Sequence, residues 1–74
     1  MVENVSGFRR ISDGAVQVKT EKGWEEWFEI LDNWGAREKG HAMIAKHLSD
    51  EYGLGPWWSQ AIAIRYEWAR GLRR

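Results

Sequence analysis

A chain of 74 residues with no cysteine allows one small domain and excludes disulfides and Cys-based zinc sites, so its stability has to come from burial. Six tryptophans, each able to bury about 200 Å², are the evident source of that burial. Basic and acidic side chains cancel at 11 each, which argues against a polyanion binder; no run of about 18 apolar residues offers a membrane span, and MVENVSGFRR lacks the apolar core of a secretory signal, so a cytoplasmic protein is expected.

Residues 1–11 carry no period and read as an irregular segment, with Phe8 and Ile11 packing on the helical part of the chain. Residues 12–74 read as a single helical domain. Ser12 offers an N-cap and Asp13 an acid for a first turn, which suits a short helix over 13–20. Val16 and Val18 also alternate as in a strand, but a lone strand would need a partner the chain does not supply. From Trp24 to Trp34 the pattern is plain: Trp24, Trp27, Phe28, Leu31 and Trp34 make a helical apolar stripe, Glu25, Glu26, Glu29 and Asp32 lie off it, and Gly35 supplies the stop.

After a polar connection over 36–40, a helix is predicted from His41 to Tyr52, burying Ile44, Ala45, Leu48 and Tyr52. Gly55 and Pro56 then open the longest helix, with proline at the first helical position, running to about Arg70. The fold class is therefore all-α: a short first helix and then three amphipathic ones. Trp27, Leu31, Ile44, Leu48, Trp57 and Ile64 form the expected core, so Trp57→Ala should be as costly as any core truncation.

The stretch GLGPWWSQ sets two indoles side by side. Adjacent helical residues diverge by about 100°. Trp57 heads the series Trp57, Ala61, Ile64, Trp68; Trp58 heads Trp58, Ile62, Ala69, Leu72. Trp57 is expected to be buried and Trp58 partly buried beside the stem of Arg65. Arg65 falls where an apolar residue is expected, so its stem should pack while its head reaches water or an acid of the second helix. If a binding surface exists, Trp58, Ile62 and Arg65 are its candidates: an aromatic face, an apolar floor and a guanidinium.

At this point the residues resemble a known family. KGWEEWFEILDNWGA, then H..IAKHLSDEYGLGPWWSQ, then YE.ARGLR are together similar to a small prokaryotic helical domain of unknown function, found alone or ahead of a START-like ligand-binding domain. The likeness spans roughly residues 12–73. It implies an all-helical domain and a helix at 13–20, and brings no activity and no site residues. Arg65 and Trp68 depart from the family pattern, where a small and a polar residue are usual; Lys22-Gly23 and Gly40 depart from its turn and its cap.

No chemistry is legible. His41 and His47 stand six apart rather than at the i, i+4 spacing of a metal pair; His41 reads as a satisfied boundary residue and His47 as a surface partner of Glu51. Ser59 lies inside a helix without a nucleophile turn, and GLGP lacks the rest of a phosphate loop. Neither catalytic residues, nor a metal, nor a cofactor is expected, and the chain reads as a non-enzymatic helical interaction or ligand-contact module using its last helix and its acidic second helix. The alternative is a helix-turn-helix-like DNA-binding domain with 56–70 as the recognition helix, in which Ser59, Gln60, Ala63 and Arg70 face the groove and the arginine-rich end, with Arg73 and Arg74, supplies phosphate contacts. The acids of the second helix against the arginines of the last point to internal pairing or self-association. A protein partner or self-association is favoured over nucleic acid, and no membrane is expected.

Overall fold

Val16 and Val18 decide the first element. A strand would place both on one face; a helix turns them about 200° apart. In the computed structural model, which describes residues 11–72, Val16 is buried and Val18 is 80% exposed. The segment Asp13–Thr20 is a helix, α1, started by Ser12, whose Oγ accepts the Ala15 N–H at 3.1 Å. It ends on Glu21 in the left-handed region, φ 73°, a conformation that strains a residue carrying a Cβ by about 1–2 kcal/mol.

Helix α2 spans Trp24–Trp34, a 3₁₀ turn spans Ala36–Glu38, α3 spans His41–Tyr52 and α4 spans Pro56–Ala69. The domain is all-α, with four α-helices among the described residues, the first shortest and the last longest. Three of these match the expected bounds, and α4 stops one residue early because Arg70 serves as its C-cap. Gly35 ends α2 with φ 86° and returns its N–H to the carbonyls of Leu31 and Asp32. No helix among the described residues is long and apolar enough to cross a membrane. The expectations for Phe8, Arg73 and Arg74 lie outside the described residues.

The core joins Val16 of α1 and Trp24, Trp27 and Leu31 of α2 to Ala36, Ile44, Leu48, Ile62, Ala63 and Tyr66. Helix α4 packs most closely on α3 and buries residues on nearly every side, from Ser59 to Glu67, as a central helix does. The polar groups of Trp27, Thr20 and Ser59, taken inside, are satisfied. Trp27 Nε1 donates to Thr20 Oγ1 at 2.8 Å, and that hydroxyl donates to the Val16 carbonyl at 2.6 Å. Ser59 Oγ donates to the Leu54 carbonyl at 3.3 Å.

Helix α2 receives its N-terminal cap from another helix. Its own N-cap is Gly23, which has no side chain to offer, and the Trp24 N–H instead donates to Asp13 Oδ1 at 2.9 Å. A Cβ on Gly23 would stand 2.8 Å from that same oxygen, so the glycine makes room for the carboxylate. Asp13→Ala removes the cap and Gly23→Ala displaces it; each is expected to lower stability by about 0.5–2 kcal/mol. Because both break one bond, the double variant should lose less than the sum, which urea denaturation of the parent and the three variants will measure.

Candidate functional site

Trp57 is not a core residue. It is 53% exposed, in the first turn of α4, while Ala61 and Ile64 of the same stripe are buried. Trp58, one residue on, is the indole that packs against the core, along the stripe that continues to the fully buried Ile62. The two rings meet edge to face, centroids 4.9 Å apart and planes at 83°. Because α4 is enclosed on almost all sides beyond Ser59, the apolar period does not distinguish the two indoles; the end of the bundle does, and it leaves Trp57 outside.

Exposure of Trp57 creates a groove. Its open space of about 710 Å³ is lined by Ile11, Ala15, Val18, Trp57 and Trp58, with Lys19 as the one charged lining residue among the described residues. Helix α1 forms one wall and the start of α4 the other. On the opposite flank of α1 lies a second trough of about 710 Å³, lined by Asp13, Gln17, Glu25, Glu26 and Glu29 with no cation among the described residues that line it. One short helix therefore separates an apolar surface from an acidic one. Neither Val18 nor Trp57 was among the expected site residues; Val18 could have been found by asking which residue a helix at 13–20 turns away from Val16.

The expected site residues are not brought together on this surface. Ile62 is 0% exposed and is part of the core rather than the floor of a binding face. Arg65 lies with its guanidinium 4.6 Å from the centre of the Trp24 ring and donates from Nη1 to the Ile11 carbonyl at 3.2 Å. Trp24 Nε1 donates to the same carbonyl at 3.0 Å. Burial lowers the Arg65 pKa from its ordinary value, as it does for any cation drawn from water. The Arg65 head thus meets an indole and a carbonyl while the residue stays partly exposed.

The described residues of the nucleic-acid alternative are divided between the interior and the surface, where Gln60 and Arg70 are held by other side chains. Ser59 and Ala63 are buried. The Gln60 amide oxygen lies against His41 Nε2, and His41 Nδ1 faces Glu67 Oε1 at 3.2 Å, so His41 is a satisfied boundary histidine bridging α3 to α4. His47 departs from its expected pairing with Glu51. Its ring stacks on Trp34, centroids 3.8 Å apart at 10°; the stack buries the imidazole face on an indole, which an exposed pair with Glu51, worth about 0–1 kcal/mol, does not outweigh. Among the described residues no group of three or more His, Cys, Asp or Glu is placed to hold a metal ion.

The charge separation along the sequence is partly closed by one cluster. Tyr66 Oη donates to Asp32 Oδ1 at 2.7 Å, Arg70 Nε donates to the same oxygen at 3.1 Å, and Arg70 Nη2 donates to Oδ2. Hydrogen bonds from Arg70 and Tyr66 hold the Asp32 pKa below its ordinary value. Burial, and then the hydrogen bond to Asp32, push the Tyr66 phenol up to about 12. The sign depends on which state keeps the proton. The folded chain holds the Tyr66 proton after the unfolded chain has released it near 10, so this contribution is complete below pH 10 and is lost as pH rises toward 12. The Asp32 contribution is present above 3.8 and is lost as pH falls below it. Urea midpoints measured from pH 8 to 12 should fall more steeply for the parent than for Tyr66→Phe, which has no phenol to titrate.

Comparison with known proteins adds no relative: no protein family, no curated protein and no solved structure matches this chain.

Proposed function

We propose that the chain is a non-catalytic interaction module that seats an apolar segment of a protein partner in the groove between α1 and α4. The observation that carries this reading is the pairing of Val18, at 80% exposure, with Trp57, at 53%, on one concave apolar face. Exposed apolar surface gathered into a groove marks contact sites more often than scattered apolar residues do, and tryptophan is the side chain that most often anchors an interface. The groove uses Trp58 from the expected surface, with Trp57 and Val18 in place of Ile62 and Arg65. Such a module would act in the cytoplasm, as the sequence leads one to expect, and alone or ahead of a START-like ligand-binding domain, as the resemblance to the prokaryotic helical domain implies.

The nucleic-acid reading is not favoured, because it needs Ser59 and Ala63 on an open face of α4 and both are buried. Catalysis is not favoured either: the His41–Glu67 pair is closed against Gln60.

Selection from a displayed library of random 12-residue peptides tests the proposal. Enriched peptides are expected to be rich in apolar residues and to lose binding to Trp57→Ala. That variant removes a half-exposed ring and should cost only about 1–2 kcal/mol of stability, so it remains folded by circular dichroism. Peptides that bind the parent and Trp57→Ala equally would place recognition elsewhere.

A further inference from the structure

We infer that the occupant of the α1/α4 groove is a basic amphipathic helix of another protein, its apolar stripe on Trp57 and Val18 and its lysine or arginine edge reaching across α1 to Glu25, Glu26 and Glu29. This rests on the groove reading above and names the partner that reading leaves open. Two features of the surface select that chemistry.

The first is the absence of any backbone to pair with. No strand occurs among the described residues, so the groove offers no sheet edge, and a partner must be read through side chains. Of the recurring modes, a helix laid in an apolar groove fits walls made of helices. The second is charge. The glutamates Glu25, Glu26 and Glu29 are exposed, and none takes part in the ion pairs seen among the described residues, which are His41–Glu67, Lys46–Asp50 and Arg70–Asp32. They share with Asp13 a trough whose far wall is the same α1 that bounds the apolar groove.

Helix α1 is one helix wide, about 10–12 Å with its side chains, so lysine or arginine side chains on the α1 edge of a partner helix bring their charge to within a screening length of the glutamates at low salt, about 30 Å at 0.01 M. Lys19, at the other end of α1, lines the apolar groove and sets the polarity: basic residues belong over the Asp13 end, neutral or acidic ones over Lys19. Such complementarity acts on orientation and association rate as well as on affinity.

The test uses four synthetic peptides. Three are helical, with leucine at i, i+3, i+4 and i+7 and an edge of lysine, glutamine or glutamate; the fourth is proline-rich with the same positive charge as the lysine peptide. Binding is read by fluorescence anisotropy at low and high salt. The lysine-edged helix should bind about tenfold more tightly than the glutamine-edged one at low salt, the combined effect of two or three exposed ion pairs. The glutamate-edged helix should bind weakest.

The advantage should vanish at about 1 M salt, where screening shortens to about 3 Å. It should also vanish in Glu25→Gln/Glu26→Gln/Glu29→Gln, while Trp57→Ala weakens every helix. Should the triple variant fail to fold, the salt dependence of the parent carries the same information.

Equal binding of lysine- and glutamine-edged helices overturns the inference and leaves the groove reading standing. Tighter binding of the proline-rich peptide also overturns it, as does a dimer of this chain that Trp57→Ala dissolves and the lysine-edged peptide does not. Binding by none of the four defeats the groove reading itself.

Discussion

Trp27→Ala is expected to remove a large share of the chain's stability, about 3–5 kcal/mol. Trp27 is 1% exposed, sits in the cluster that joins all four helices, meets Tyr52 edge to face at 5.1 Å, and donates its indole N–H to Thr20. Removing a buried indole costs about 3–5 kcal/mol. A chain of 74 residues has only roughly 4–11 kcal/mol of total stability to lose. Trp27→Phe separates the two contributions: it keeps an aromatic ring and strips the N–H, so it should cost about 1–2 kcal/mol. Urea denaturation tracked by circular dichroism measures both. A Trp27→Ala chain with the parent's midpoint would refute this account of the core.

Ile62→Ala should cost about 2–5 kcal/mol, more than Trp57→Ala, although isoleucine is much the smaller residue. The reversal comes from position. Ile62 is 0% exposed, whereas Trp57 keeps 53% of its surface in water. Truncating the first leaves a cavity between helices that cannot collapse; truncating the second leaves solvent where a ring edge was. Thermal melts of the two variants side by side give the order directly. If Trp57→Ala is the less stable, Trp57 belongs to the core and not to a recognition groove.

What could be read in advance depended on how much angular information each helix carried. Helix α2 was legible to its last residue, because Trp24, Trp27 and Leu31 are buried while Glu25, Glu26 and Glu29 face out; one side is wet and the period shows it. Helix α4 has no wet side between Ser59 and Glu67 worth the name. Its two candidate stripes are both apolar, and the choice between Trp57 and Trp58 rests on where the neighbouring helices end, which no local pattern encodes. Tyr66 was missed for the same reason: its phenol is buried because Asp32 is there to accept its hydrogen bond, a partner 34 residues away. The opposed charges of the second and last helices did announce pairing, but not that Asp32 and Arg70 would be the pair. His47 shows the limit of the i, i+4 rule: a neighbour on the helix, Glu51, lost to a ring on another helix, Trp34.

The modest hold on α1 has a consequence for how long the surface exists. Helix α1 contributes only Val16 and Thr20 to the buried set, closes on the strained Glu21, and is fastened at its start by the Asp13 cap and the Ile11 carbonyl. Releasing it therefore takes less free energy than unfolding the bundle, and its amides should exchange with solvent hydrogen ahead of those in α4. Since α1 is the wall of both troughs, one such opening erases the apolar and the acidic faces together. Measured affinity is then the closed-state affinity scaled by the closed fraction. A substitution such as Glu21→Gly, which relaxes the left-handed turn and touches neither trough, is in this sense a tuning position: it alters the lifetime of the recognition surface without altering any contact made on it.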